Sequence, residues 1–524
     1  MQKKSNSIDH AFYGHPKPLK GLFFTELWER FSYYGIRPLL ILYMSAIVAE
    51  GGLGLDRASS AALVGIFAGS IYLMTVFGGW IADNYLGQSK SVYIGSIIIA
   101  LGHFSIALNA IWDNFFFYFG LVLIVLGSGL FKTCIGVIVG SLYREEDHRR
   151  DAGFSIFYMG INIGAFIAPL VTGFLIEQYG WHIGFGVGGI GMLLSLLIYR
   201  FHTIPQLKQF HQWQHLQQPD LVKADFDQPM YRHPHAAKIV YGFLALLSLV
   251  IALTYFGAIH IQPTIFAGYL TLVVCLCIAS YFVYLMFFSA FTKHEKIRLL
   301  LCFILLVTAA LFWSAFEQKP TTFNLFARDY TDRVIFGFEI PTVWFQAING
   351  IFIVIFAPIA AWIWIKLGRA NKEPNHISKF IIALCFAAAG FAVMTFASQT
   401  ILSGNGALVS PLWLVVTILF LTLGELCLSP IGLSAMTKLS PALIRGQMMG
   451  LWCAAIALGN LMAGLISGEM FTNSIEHLPG LFFKCVIALL LGAAILLALR
   501  PYIYKMLDQA AHDAALNQNS PEKS

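Results

Sequence analysis

Residues 21–40 read GLFFTELWERFSYYGIRPLL, and this stretch decides the fold. With the apolar residues that follow through Met44 it is long enough to cross a bilayer core of about 30 Å as a helix. Yet it carries Glu26, Glu29, Arg30, Tyr33, Tyr34 and Arg37. At 100° per residue these six fit within an arc of about 140°, leaving Phe24, Leu27, Phe31, Ile36 and Leu39 outside it. A charge inside a span costs at least about 2.5–3.5 kcal/mol on insertion scales, so such residues usually line a wet path or relay protons. The bland alternative is a static salt-bridge network that only locks the helix.

The rest of the chain agrees with a membrane setting. Of 524 residues 58% are hydrophobic and 11% are charged, with a mean hydropathy of +0.72. Soluble chains average about 25% charged residues, so a water-soluble fold of this size could not clothe its surface. Fourteen apolar runs lie at roughly 20–47, 58–83, 91–111, 114–139, 154–178, 182–200, 236–258, 267–291, 297–319, 341–366, 378–398, 409–436, 446–472 and 479–503. An even number puts both ends on one side. Lys and Arg gather in the termini and every second loop (Lys3, Lys4, Lys17, Lys20, Lys90, Arg144, Arg149, Arg150, Lys293, Arg369, Lys438 and Arg500 among them). The opposite loops hold only Arg57, Arg328 and Arg333, with Lys319 and Lys484 at helix ends there. That bias makes both termini cytoplasmic. Anionic lipid beside the basic loops accounts for the net charge of +6 without a nucleic-acid partner.

The polar N-terminus MQKKSNSIDHAFYGHPKPLK contains no cleavable signal, which leaves the first span as an uncleaved anchor. All eight cysteines lie in apolar runs, and no CxxC pair supports zinc or a disulfide framework. Residues 201–235, rich in His and Gln, read as a solvated linker. His211 and His215 have the spacing of a metal pair but no third ligand nearby, so no metal site is expected.

An internal repeat organises the spans. GGWIADNYLGQSK (78–90) and AAWIWIKLGRANK (360–372) close matching turns at Leu86-Gly87 and Leu367-Gly368, and Arg37 and Glu317 precede those turns by about the same length of chain. Two six-helix halves about an axis along the membrane normal is a transporter plan. The expected layout is an N-terminal bundle over 1–200, a linker over 201–235, two inserted helices over 236–291, a C-terminal bundle over 292–503 and a tail over 504–524.

Three more spans each carry one charge. Lys132 lies in VLGSGLFKTCIGVIVG, Glu317 in AALFWSAFEQKP and Glu425 in LFLTLGELCLSPIG. Four acids (Glu26, Glu29, Glu317, Glu425) then face three bases (Arg30, Arg37, Lys132), and the surplus carboxylate would carry a proton. Pro38, Pro320, Pro430 and the glycines around Lys132 (Gly127, Gly129, Gly136, Gly140) suggest kinks beside these charges.

At these residues the chain resembles the proton-dependent oligopeptide transporter family of the major facilitator superfamily. The likeness rests on ExxERFxYYG from Glu26 to Gly35, on the loop after the second span with Asp83 and Gly87, on FYMGINIGAFIAP with Tyr158 and Asn162, and on FWSAFEQ, WFQAINGIF and GELCLSPIGLSAMTKLSP. It departs from the family at Gln88 and Ser89, where basic residues are common, and at Gly350, where a proline is usual. The resemblance implies an all-α integral membrane protein of the major facilitator fold, with 12 core helices in two six-helix bundles plus two extra helices.

It further implies that Glu26, Glu29, Arg30, Lys132 and Glu317 couple protons. Arg37, Lys132 and Tyr34 would receive a peptide carboxylate, and Glu425, Asn162 and Asn349 its ammonium side. Tyr72, Trp313 and Trp452 would line the pocket. The candidate substrate set also takes in Tyr33 and Ser429, and Asp83 joins the gate. Arg37–Glu317 and Lys132–Glu425 would be salt bridges that close opposite gates.

Independently of the family, cations on one side and a carboxylate on the other suit a zwitterion of fixed backbone length. Asn amides bind peptide groups whatever the sequence, and aromatic walls accept varied side chains by area burial. The expected activity is proton-coupled import of di- and tripeptides across the inner (plasma) membrane by alternating access. It needs no cofactor beyond the proton gradient and no obligatory protein partner; the partners are peptides, protons and the lipid bilayer. The same fold moving another small anion or drug is the competing reading, and a non-transporting nutrient sensor a more distant one. An intramembrane enzyme lacks support: HExxH, GxSxG and P-loop patterns are missing, and His103 has no second His or Asp on its helix face, which suits a packed or hydrogen-bonded residue.

Overall fold

Each apolar run folds as a helix in the computed structural model, which describes residues 8–144, 147–217, 227–472 and 475–519. Lys3 and Lys4, residues 218–226 of the expected linker and the end of the expected tail lie outside the described residues. The first seven helices are α1 (Pro18–Ser45), α2 (Arg57–Ile81), α3 (Gln88–Leu108), α4 (Phe115–Ser141), α5 (Arg149–Tyr179), α6 (Trp181–Ile198) and α7 (Ile204–Gln217). Then follow α8 (Ala236–Tyr255), α9 (Pro263–Phe287), α10 (Lys293–Phe316), α11 (Asn324–Tyr330), α12 (Phe345–Arg369), α13 (His376–Ser403), α14 (Leu412–Leu439), α15 (Arg445–Thr472) and α16 (Leu478–Asn519). Strands β1 (Val334–Ile335) and β2 (Phe338–Glu339) form a small antiparallel hairpin. Its turn residues Phe336 and Gly337 both have positive φ, which matches the right-handed twist of a two-residue connection.

Thirteen spans among the described residues are long and apolar enough to cross a membrane by length and composition; α1, with its five charges, is not among them. Burial explains how α1 is tolerated. Leu22, Ile36, Leu39 and Leu40 are fully buried, and the helix packs on α5 and α6. Its apolar face therefore meets protein.

The described residues group into two compact units. The first draws on Met1–Asp56, Ser70–Gln262 and Pro341–Gly350, the second on Arg57–Gly69, Pro263–Ile340 and Ile351–Ser524. In the first unit α3 and α4 form a close hairpin. In the second, α13 packs against α14 and α16, and α10 packs against α15. The two helices expected as an insertion are among the least enclosed, together with α12. Leu246 and Leu249 of α8 and Tyr269 and Leu276 of α9 are all more than half exposed, as suits helices sided by lipid.

Part of the expected linker is ordered helix. The chain leaves α6 through a π turn at Tyr199–Thr203 and enters α7, where Leu207 and Phe210 are buried. The rings of His211 and His215 meet edge to face at 4.6 Å.

The segment before α1 is also folded. Phe12 and His15 exchange backbone hydrogen bonds of 3.1 and 2.9 Å around the Tyr13-Gly14 turn. Arg149, which opens α5, holds that turn: its guanidinium donates to the carbonyls of Asp9 (3.2 Å) and Gly14 (3.1 Å) and to the carboxylates of Asp9 (3.1 Å) and Asp147 (2.9 Å). His15 is buried with its Nδ1 2.9 Å from the Tyr143 hydroxyl. Burial first, and then the Arg149 charge, lower the His15 pKa below its ordinary value, while hydrogen bonding to Arg149 lowers that of Asp147.

For His15 the folded-state pKa lies under the unfolded one. Its contribution is thus complete above about pH 6.5 and disappears as pH falls through the folded value. Limited proteolysis of the purified protein should cut residues 8–17 faster at pH 5 than at pH 7, and His15→Gln should flatten the difference over pH 7–6. Equal rates for the wild type at both pH values would contradict this.

Candidate functional site

The polar stripe of α1 begins as an ion-paired cluster. The Arg30 Nε lies 2.5 Å from Glu26 Oε1, one turn away, and 3.1 Å from Glu29 Oε2. Both carboxylates are 1% exposed. The second oxygen of Glu26 and both oxygens of Glu29 accept no hydrogen bond among the described residues, so the contact to Glu29 is a charge contact outside hydrogen-bond geometry. Two buried acids thus share one guanidinium, and the spare acceptor positions can take a proton or a water.

Further along α1, two cations flank one aromatic ring. The Lys132 Nζ lies 4.1 Å from the centre of the Tyr33 ring and 5.3 Å from that of Tyr72, and the Arg37 Cζ lies 5.8 Å from the Tyr33 ring. These are cation–π distances, which hold a cation in a desolvated place without neutralising it. Tyr33 also packs edge to face on Tyr34 at 5.1 Å. Glu26, Glu29, Arg30, Tyr33, Tyr34, Arg37, Tyr72 and Lys132 therefore form one continuous group.

The glycines beside Lys132 explain how α4 comes so near. A Cβ built on Gly78 of α2 would lie 2.2 Å from the Gly129 carbonyl oxygen, so these two backbones approach as closely as glycine alone permits. Thr133 then donates to the Thr75 carbonyl at 3.0 Å. The helix runs unbroken over Phe115–Ser141. Gly129 is there for packing and not for the expected kink.

Asn162 is half-buried on α5, with its amide donating to the Tyr158 carbonyl at 2.9 Å. A Cβ on Gly350 of α12 would lie 3.5 Å from Phe166 Cβ and 3.9 Å from the Asn162 carbonyl, so the turn of α12 bearing Asn349 crosses α5 at Asn162. The helix passes straight through Gly350, and its internal proline is Pro358.

Asp83 stands apart from this group. It lies in a π turn at Ala82–Leu86, where the Gln88 side chain donates to its carboxylate at 2.7 Å. The Asp83 carbonyl accepts the Tyr231 backbone N–H at 2.9 Å. Gln88, the departure from the family pattern, is thus the partner of Asp83.

In the second unit, Glu317 follows α10 and is 6% exposed. Pro320 does not close the span. After Glu317-Gln318 the chain continues through a π turn at Lys319–Phe323 into α11, and the whole stretch Lys293–Tyr330 is a single candidate membrane span. Lys319 is consequently not at a helix end: it is 8% exposed, with its Nζ 3.2 Å from the centre of the Phe316 ring. Its signal in the sequence was the apolar run FNLFA beyond Pro320, a residue that is tolerated in the first turn of a helix.

Trp313 is buried, edge to face with Phe316 at 5.2 Å. Glu425 and Ser429 are half-buried on α14. Trp452 of α15 is 4% exposed, and its six-membered ring lies close against Gly432, three residues past Ser429, where a Cβ would clash with it.

Counting Lys319 changes the charge balance. With Lys319 added, the four acids singled out in the sequence (Glu26, Glu29, Glu317 and Glu425) face four bases (Arg30, Arg37, Lys132 and Lys319), so that set holds no surplus carboxylate.

The POT family profile matches residues 89–478. The chain belongs to the POT family. Peptide transporter YePEPT of Yersinia enterocolitica is 53% identical over 509 residues, which cover 97% of this chain and 98% of that protein. Dipeptide and tripeptide permease A of Escherichia coli is 28% identical over 98% of both chains. Among solved structures, peptide transporter POT in complex with alafosfalin is 36% identical, with a TM-score of 0.83 over 96% of this chain and 99% of that one. This POT family chain is a multi-pass membrane protein of the major facilitator fold. Its family is one of transporters and not of enzymes.

Proposed function

We propose that this chain is a proton-coupled symporter that imports di- and tripeptides by alternating access of two six-helix halves, with 236–291 as an insertion between them. The observation that carries this reading is the pair of cations at the buried Tyr33 ring, with the Lys132 Nζ 4.1 Å and the Arg37 Cζ 5.8 Å from its centre. Arg37 and Lys132, beside Tyr33, Tyr34 and Tyr72, receive a substrate carboxylate. Glu425, with Ser429, receives a substrate ammonium. Asn162 and Asn349 address the peptide group, and Trp313 and Trp452 supply apolar area for side chains. The names and ligands of the relatives support peptides as the substrate class.

Glu26, Glu29, Arg30, Lys132 and Glu317 serve the proton. A proton on an acid removes the partner of a neighbouring base, and the freed base then binds the carboxylate better. Proton and peptide therefore favour the same state. Within the cycle Arg37 with Glu317, Lys132 with Glu425, and Asp83 act as gates. The setting is the inner membrane with both termini cytoplasmic.

Uptake of a labelled dipeptide into proteoliposomes tests this reading. An imposed inward proton gradient should raise accumulation several-fold, and unlabelled di- and tripeptides should compete where free amino acids do not. Accumulation indifferent to the gradient would exclude coupling. Competition by simple organic anions alone would favour transport of another small anion.

A further inference from the structure

Beside the charged stripe of α1 runs a second polar series. At 100° per residue Thr25, Ser32 and Tyr43 fall within about 20° of one another, about 40–60° from Glu29 at the edge of the stripe. Each is joined to another helix of the first unit. Ser195 of α6 donates to the Thr25 carbonyl at 2.7 Å. Asn109, at the end of α3, donates to the Tyr43 hydroxyl at 2.5 Å. Between them, the His103 Nε2 of α3 lies 2.6 Å from the Ser32 Oγ.

The middle contact is built with care. His103 is 5% exposed and Ser32 1%. Gly188 and Gly189 of α6 make room for the side chain, since a Cβ on Gly188 would lie 3.2 Å from the ring Cε1 and one on Gly189 3.2 Å from the His103 Cβ. The Nδ1 has no hydrogen-bond partner among the described residues. The tautomer that leaves no buried N–H unpaired is the one with its proton on Nε2, donated to Ser32. Ser32 lies within the ERFSYYG run, between Arg30 and Tyr33. Ile36 against Gly188 is an apolar contact and imposes no direction. Of these three directed contacts, those at Thr25 and Tyr43 lie toward the two ends of the helix, and His103–Ser32 lies nearest its middle, where it helps to set the rotation.

We propose that His103 is a positioning residue for transport: through Ser32 it holds α1 at the rotation that presents Arg30, Tyr33 and Arg37 to their partners. This rests on the stripe having the coupling role proposed above. The test compares His103→Leu, His103→Gln (whose amide retains a donor near Nε2), Ser32→Ala and the double variant His103→Leu/Ser32→Ala in proteoliposomes.

His103→Leu should lower the maximal rate of gradient-driven dipeptide uptake at least about tenfold, with half-saturation changed by less than about twofold. His103→Gln should recover to within about threefold of wild type, and the double variant should be no worse than His103→Leu. A reporter independent of transport is the alkylation of a cysteine at Tyr34, resolved by mass: His103→Leu should change its rate several-fold and His103→Gln should restore it. The proposal is overturned if His103→Gln is no better than His103→Leu, or if the two losses add. It is also overturned if half-saturation alone moves, or if the alkylation rate stays constant. Should His103→Leu fail to fold, Ser32→Ala against His103→Gln decides in the same way. Should the wild type move no dipeptide, the transport reading falls and the alkylation result alone decides the role of His103.

Discussion

Glu317→Gln is expected to abolish uphill uptake while leaving exchange of substrate across the membrane intact. One net charge moving through 100 mV yields about 2.3 kcal/mol, and at about 1.4 kcal/mol per decade this sustains a gradient near 50-fold. Glutamine keeps the size and the hydrogen bonding of the acid but cannot gain or lose a proton. The accumulation ratio should therefore fall from tens to one, as for a passive carrier. Labelled dipeptide inside should still exchange with unlabelled dipeptide outside, because the substrate-reading residues are untouched. Retention of gradient-driven accumulation in the variant would remove Glu317 from the coupling scheme. Loss of exchange as well would make it a structural residue.

Arg30→Leu should have the largest effect on stability. The guanidinium lies in contact range of both Glu26 and Glu29, and both acids are almost wholly buried. Removing one member of a buried pair typically costs about 3–5 kcal/mol, against a total stability of about 5–15 kcal/mol. Purified Arg30→Leu should unfold at a much lower temperature than wild type or fail to accumulate. Neutralising the acids as well, in Glu26→Gln/Glu29→Gln/Arg30→Leu, should return much of the loss because no charge is then left without its partner. If Arg30→Leu melts with the wild type, the carboxylates are already protonated or reached by water, and the cluster is not the buried ion pair described above.

Much of this was readable in the chain itself. The helices were, because runs of about 20 apolar residues have one physical solution in a bilayer. The grouping on α1 was, because Glu26, Arg30, Tyr33 and Arg37 recur at the helical period. Lys132 announced itself by lying alone among apolar neighbours. What escaped did so for local reasons. Lys319-Pro320 reads as a stop, yet a π turn carries the chain past it and buries the lysine. Helix α7 is polar over most of its surface, with little more than Leu207 and Phe210 to betray an inner face. Gly129 looked like a source of bending because sequence shows a glycine but not the carbonyl that lies against it. Gln88 looked like a loss until its amide was seen on Asp83.

The interruption between α10 and α11 falls at Glu317-Gln318, and the turn that follows is wound more loosely than an α-helix. Such interruptions are where long helices flex. Chemistry and mechanics thus coincide in one place along the backbone: no lever arm has to carry a signal from the acid to a distant joint. Under the role proposed for Glu317, a change of a single hydrogen at that carboxyl would act at the swivel itself, and the short arm beyond it, ending at Tyr330, is what would swing.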